Sequence, residues 1–377
     1  MDISLYIHIP FCASKCNYCD FSSFPRIEHL VPQYMDSLIA EMALYKEALR
    51  NYSIKTIFIG GGTPSHIGAE HIYRIMNYIH ANYRTSGLSE ITIEVNPGTV
   101  TKDKAKSYKD FGINRVSMGA QSFNDQMLKK LGRIHNSEEI YNSYRIIEGS
   151  GIENINLDLI FGLPNQKLND AMESIRAAVA LGVQHISHYG LIIEEATNFY
   201  SLLKAGKLAL PGEDEEREMY HRARNFLIQN GYDHYEISNF SLEGYESKHN
   251  LAYWDIEPYL GLGLSSHSYM NNRRFFNSSS ISNYIDLLGK GRLAIEGKEE
   301  LDLDAEIEDY CIFGLRKIRG INKERFLHRF AIGIEELYAD VIEKHVYNGL
   351  LIDDGQSIRL TEKGLDLSNL VEVDFLK

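Results

Sequence analysis

Short apolar runs alternate along the first half of the chain with longer stretches in which apolar residues return every three or four positions. The runs over 5–9, 54–59, 90–95, 115–120, 154–160 and 185–191 are rich in Ile and Val and bounded by Gly, Pro or Asn, which predicts strands. The stretches 31–50, 66–82, 102–110, 138–150 and 168–181 carry the helical period. Such repetition predicts an α/β fold of parallel strands joined by crossover helices, a doubly wound sheet or a barrel. Ligands gather at the carboxyl ends of such strands. From about residue 298 the rhythm changes to helices over 305–317, 323–330 and 334–348, then a hairpin turning at Asp353-Asp354-Gly355.

With 377 residues and 44% hydrophobic content the chain can bury a large core, and its length fits two domains. No run of about 18 apolar residues occurs, so any membrane contact is expected to be peripheral. The net charge of −13 opposes binding to phosphate backbones, which excludes nucleic acid as an expected partner. The C-terminal helices and hairpin follow the order of a winged helix, a unit that often binds DNA. From Glu299 onward, however, 18 acidic residues face 10 basic ones, and the unit reads as a lid or partner surface.

The chemistry concentrates in Cys12-x-x-x-Cys16-x-x-Cys19, which follows the first predicted strand. Thiolate sulfur is the soft donor that iron–sulfur clusters select. A [4Fe–4S] cube has four irons, so three thiolates leave one open to chelate the amino and carboxylate groups of S-adenosylmethionine, a source of radical chemistry. A structural zinc site is the alternative. It needs four ligands, Cys311 stands far away, and His8 or Asp20 would have to complete the set. No secretory signal precedes the motif and four cysteines do not staple so long a chain, which favours a reducing, cytoplasmic compartment over disulfides.

The predicted strand ends are loaded with polar groups. Gly60-Gly61-Gly62-Thr63-Pro64-Ser65 leaves a strand through three glycines that allow close backbone approach, without the Lys-Ser/Thr of a P-loop or the spacing of a dinucleotide fold. Glu94, Gln121 and Asp158 end three further strands, and Arg133 follows the one that ends in Gln121. Carboxylates suit an ammonium or ribose hydroxyls and an arginine fork suits a carboxylate, as a zwitterion with a ribose requires. Taken singly, each group also fits a tight turn, a helix cap or a salt bridge.

Together these segments resemble the radical S-adenosylmethionine superfamily, and within it the group of oxygen-independent coproporphyrinogen III oxidase and its haem-chaperone relatives. The resemblance runs through Tyr6-Ile-His-Ile-Pro-Phe-Cys12, Gly60-Gly-Gly-Thr-Pro-Ser65, Gly119-Ala-Gln-Ser-Phe123, Asp158-Leu-Ile-Phe-Gly-Leu-Pro164 and Tyr235-Glu-Ile-Ser-Asn-Phe240. It implies a partial parallel (β/α)6 barrel with a smaller, winged-helix-like C-terminal domain. It also implies that Cys12, Cys16 and Cys19 hold the cluster, while Tyr6, Gly61, Gly62, Thr63, Glu94, Gln121, Arg133 and Asp158 contact S-adenosylmethionine and Tyr18 packs by its adenine. The implied division is a barrel with its cluster loop over 1–240, a connecting segment over 241–297 and the C-terminal domain over 298–377.

Two departures separate this chain from the oxidases. Those usually carry a further cysteine where Phe21 stands here, and an extension ahead of the first strand. A third feature points the same way: His249-Asn250-Leu251-Ala252-Tyr253-Trp254 is similar to a His-Asn-x-x-Tyr-Trp motif associated with haem binding in the chaperone group. Imidazole is a standard axial ligand of haem iron and aromatic rings offer the macrocycle flat surface, so His249 is the leading haem candidate and His267 the second. A buried turn with a hydrogen-bonded histidine is the bland alternative. The expected function is therefore haem binding and transfer to acceptor haemoproteins, with porphyrinogen oxidation as the runner-up. A reductant such as flavodoxin or ferredoxin is an implied partner, and a homodimer and a peripheral membrane contact are left open.

Overall fold

The computed structural model describes all 377 residues. Six strands, β1 (Asp2–Ile9), β2 (Ser53–Gly61), β3 (Glu90–Val95), β4 (Arg115–Gln121), β5 (Asn154–Phe161) and β6 (His185–Gly190), lie in chain order and pair in parallel. The main crossover helices are α1 (Val31–Tyr45), α2 (Ala69–Asn82), α3 (Lys102–Asp110), α4 (Asp125–Leu131), α5 (Ser137–Glu148) and α6 (Leu168–Leu181). The expected partial parallel barrel is thus present.

Period-two alternation along these strands separates two environments. Ile3, Leu5, Ile7 and Ile9 of β1, with Ile91, Ile93 and Val95 of β3, belong to a core cluster of 55 buried residues that also takes Met35, Leu38 and Met42 from α1 and Ile72, Ile75 and Ile79 from α2. The intervening positions are polar: Ser4 and His8 on β1, Glu90, Thr92 and Glu94 on β3, Arg115, Ser117 and Gln121 on β4, Asn156 and Asp158 on β5. The barrel therefore turns its apolar side to the helices and a polar side inward, where a ligand can be held.

Later segments extend the same sheet at both edges. β7 (Asp233–Glu236) and β8 (Asn239–Ser241) form a hairpin whose β8 pairs antiparallel with β6. On the other side β9 (Tyr259–Leu262) pairs parallel with β1, and β10 (His267–Met270), β11 (Arg273–Asn277) and β12 (Ile295–Glu300) follow antiparallel, giving twelve strands. The two-residue turn between β10 and β11 is Asn271-Asn272, both with φ near +55° to +58°, the left-handed conformation that a tight hairpin needs and that asparagine tolerates.

Glu41 of α1 anchors this added edge from beneath. Its fully buried carboxylate accepts from the Gly263 N–H at 2.7 Å, the Tyr284 hydroxyl at 2.6 Å and Asn277 Nδ2 at 2.5 Å. Tyr284 lies on a short helix, Ile281–Gly289, that packs against α1. The C-terminal unit comprises the helices Leu303–Leu315, Lys323–Phe330 and Ile334–Tyr347 and a three-stranded antiparallel sheet, the expected winged-helix order. Its 19-residue core includes Ile256 and Tyr269, so it is packed onto the β9–β10 region.

Boundaries differ where local chemistry interrupts the period. The first helix ends at Tyr45 and continues as turn, and the second begins at Ala69, because Pro64 and Gly68 divide a short 3-10 turn, Pro64–His66, from the helix proper. Glu213–Gln229 is a helix that the hydrophobic pattern did not disclose: only Met219, Ala223 and Leu227 are buried on it, a stripe one residue wide in a charged sequence.

Candidate functional site

The carboxyl ends of β1 to β5 open into a small cavity of about 110 Å³ lined by all three motif cysteines, with Tyr18, Gly61, Gly62, Thr63, Glu94, Gln121, Arg133 and Asp158. Each thiol meets a different donor. Thr63 Oγ1 lies 3.4 Å from Cys12 Sγ, an Arg133 guanidinium N–H points at Cys16 Sγ from 3.6 Å, and Ser23 Oγ stands 4.0 Å from Cys19 Sγ. Burial pushes the Cys19 thiol up, against the pull of the Lys15 ammonium. Donors of this kind favour the thiolate that iron binds.

No three histidine, cysteine or carboxylate side chains converge tightly enough to hold a single metal ion. His8, the proposed completion of a zinc tetrahedron, is committed elsewhere. Its Nε2–H donates to the Ser22 carbonyl at 2.8 Å, so Nδ1 accepts from the Tyr6 hydroxyl at 3.0 Å. A cubic cluster takes one thiolate at each of three separate irons, and sulfurs standing around a space suit it better than a point-like ion.

The glycine loop has a geometric reason. Gly62 N–H and Thr63 N–H donate to the Ile9 and Phe11 carbonyls at 2.8 Å each, tying the loop to the chain entering Cys12. Gly61 has φ +110°, and a Cβ there would lie 2.4 Å from the His8 ring. Its N–H donates to Glu94 Oε2 at 2.9 Å. Burial first, then the charge of Asp158, pushes the Glu94 carboxyl up to about 7. Burial likewise raises Asp158, which Asn156 Nδ2 and Ser117 Oγ hold at 2.8 and 3.1 Å. Arg133 donates from Nη2 to Asn96 Oδ1 at 2.6 Å and to the Gly119 carbonyl at 2.5 Å. Gln121 sits at φ +64°, off the strand conformation, at the tip of β4.

Asn96, Ser117 and Gly119 also line this cavity, though they were not singled out. Their signal was the strand period: Ser117 and Gly119 lie four and two residues before Gln121, and Asn96 two after Glu94. Tyr6 departs from the group and faces a second cavity. That cavity, of about 660 Å³, shares only Phe21, Gly61 and Glu94 with the first and is walled by Tyr253, Trp254, Tyr259, Tyr269 and Phe313. Its size is within the range that ligand pockets span. Ser22 Oγ, three residues after Cys19, donates to Ser265 Oγ at 2.8 Å and so joins the cluster loop to the second cavity's wall.

His249 is not brought to either cavity. It is 1% exposed, at the start of the helix Lys248–Trp254, behind Tyr253. Thr56 Oγ1 spends its proton on Ser4, so His249 Nδ1–H donates to Thr56 at 2.8 Å and Nε2 accepts from the Tyr253 hydroxyl at 2.8 Å. Burial lowers its pKa to about 3 and keeps the ring neutral. Tyr253 and Trp254 of the same motif do face the larger cavity.

Residues 6–178 match the radical SAM superfamily and residues 301–367 the HemN C-terminal domain. Among curated proteins, the chain is 38% identical to the heme chaperone HemW of Bacillus subtilis, over 99% of both chains. It is 37% identical to that of Lactococcus lactis, over 99% of this chain and 97% of the other, and 31% identical to that of Escherichia coli, over 98% and 97%. Among solved structures, coproporphyrinogen III oxidase (HemN) from Escherichia coli superposes with a TM-score of 0.86 at 22% identity, covering 99% of this chain and 89% of that one, a likeness of fold.

Proposed function

We propose, for a chain that belongs to the radical S-adenosylmethionine superfamily and within it to the family of the heme chaperone HemW, a protein that binds haem and delivers it to acceptor haemoproteins. The observation that carries this reading is the pair of adjoining cavities, one polar and faced by three thiols, the other large and aromatic, with Phe21, Gly61 and Glu94 between them. In this reading Cys12, Cys16 and Cys19 ligate a [4Fe–4S] cluster, which when bound supplies one-electron chemistry toward a sulfonium. Arg133 and Gln121 orient the carboxylate of S-adenosylmethionine, and Glu94 and Asp158 take its ammonium and ribose hydroxyls. A cation at Glu94 offsets the cost of ionising that buried carboxyl.

The aromatic cavity receives haem as cargo. Flat rings at its wall match a flat apolar macrocycle, and Phe21 presents an apolar face where oxidases of the wider group usually place a sulfur ligand. A one-electron donor of the flavodoxin or ferredoxin kind and an apo-haemoprotein are the partners in this reading. Anaerobically reconstituted protein, loaded with haem and mixed with an apo-acceptor, is expected to lose its Soret absorbance as the acceptor gains its own. Decarboxylation of coproporphyrinogen III with a reductant present, without haem transfer, would refute it.

A further inference from the structure

Three histidines lie at or beside the aromatic cavity, and only one has a nitrogen to give. His8 and His249 each use both ring nitrogens in hydrogen bonds inside the protein, His8 to Tyr6 and Ser22, His249 to Thr56 and Tyr253. The lone pair of His249 Nε2, the position an iron would need, is taken by the Tyr253 hydroxyl. Reaching it requires displacing the Tyr253 side chain that covers it, and His249 itself is held in place from behind, the Lys248 and His249 N–H groups donating to Glu90 at 2.9 and 3.0 Å.

His267 differs in every respect. It opens β10 on the cavity wall, its side chain is exposed, and neither ring nitrogen has a hydrogen-bond partner in the protein. The imidazole is stacked on Phe276 of β11, with centroids 5.2 Å apart and planes at 26°, so its edge is oriented. The backbone before it is held: Ser266 Oγ donates to the Gly263 carbonyl at 2.7 Å, and Asn277 Nδ2 bonds both that carbonyl, at 2.9 Å, and Ser266 Oγ, at 3.2 Å. Burial lowers the His267 pKa from its usual value, which leaves the neutral ring that a metal takes. The phenols on the wall are poorer ligands, since burial raises Tyr253, Tyr259 and Tyr269 and keeps them protonated.

We infer that His267 is the axial ligand of the haem iron, with the macrocycle lying among Trp254, Tyr259 and Phe313, and that His249 is a positioning residue that holds Tyr253 in the wall. Arg274, at the same cavity and paired with Asp309, is the cation available to a propionate. The inference rests on haem binding as proposed above and names its ligand. It assigns the role to a residue outside the His-Asn-x-x-Tyr-Trp segment, thirteen positions beyond its last residue, Trp254.

The test is haem titration of the full-length protein, read by Soret absorbance and by nitrogen hyperfine coupling in pulsed EPR. His267→Ala is expected to weaken haem affinity at least tenfold and to remove the imidazole coupling. His267→Cys should exchange the nitrogen signature for that of a thiolate ligand, a change that mere loosening of the wall cannot produce. His249→Ala, with folding checked by thermal melt, should keep imidazole ligation. Unchanged affinity and coupling in His267→Ala, or a histidine spectrum in His267→Cys, overturns the assignment while haem binding stands. A wild-type protein that takes up no haem overturns the underlying reading and this ligand with it.

Discussion

The two cavities share a wall and are built on opposite principles. The smaller, about 110 Å³, is drawn from residues 12–158 and from the ends of consecutive parallel strands, with Asn96 tied to Arg133 and, across neighbouring strands, Ser117 to Asp158. The larger, about 660 Å³, combines Tyr6 and Phe21 with residues 253–313, and rings rather than hydrogen bonds make its surface. A polar site on strand ends is rigid because each side chain is fixed by its neighbours along and across the sheet. The aromatic site depends instead on an added sheet edge and on the packing of the C-terminal unit against it.

The largest expected effect separates the sites chemically. Cys16→Ala should abolish cluster reconstitution, seen as loss of the broad visible absorbance and of cluster iron, while haem affinity stays within about twofold. Loss of both together would show that the cavities form one site.

The next effect separates them by pH. Burial raises the Glu41 carboxyl from 4.5 to about 7, while Tyr284, Gly263 and Asn277 pull the other way. A carboxyl raised in the folded state adds stability that is complete below its unfolded value, about pH 4.5, and is lost as pH rises through about 7. The shift corresponds to about 3 kcal/mol. Denaturant melts should therefore show the stability gap between wild type and Glu41→Gln narrowing by up to about 3 kcal/mol from pH 4.5 to pH 8. Because Glu41 holds Gly263 and Asn277, haem affinity should fall over the same range before cluster retention does; a constant gap would mean that Glu41 does not titrate.

The smallest effect is a trim of the aromatic wall. Trp254 stacks on Phe313 at 6.1 Å and lies under the Arg316 guanidinium at 4.5 Å. Trp254→Ala should weaken haem binding about tenfold, or about 1.4 kcal/mol, and leave S-adenosylmethionine affinity unchanged in equilibrium binding. An equal loss of both would move Trp254 onto the shared wall.

The same contrast governs what could be read from the chain. Gly61, Glu94, Gln121 and Asp158 were legible because each stands in the carboxyl half of a strand whose period-two pattern is plain, and parallel topology carries these halves to one face, while Cys12 was legible from its spacing to Cys16 and Cys19. Asn96, Ser117 and Gly119 were legible by the same period and passed over. The aromatic cavity was not legible. Tyr269 and Phe313 are ordinary core-like residues in sequence, and strands as short as Tyr259–Leu262 and His267–Met270 have too few positions to show a pattern. Glu213–Gln229 escaped for the opposite reason, a charged face wide enough to hide three buried residues.

By itself the sequence determined the parallel barrel, the three-thiol loop and the polar set around it, because local periodicity and a short ligand spacing are properties of neighbouring residues. Only the tertiary structure decided which histidine has a nitrogen to offer. His249 stands in the more conspicuous motif, but Thr56, 193 residues away, and Tyr253 consume its ring, while His267 keeps both nitrogens free. Hydrogen-bond partners so distant along the chain leave no local trace, and an imidazole's availability is settled by what surrounds it.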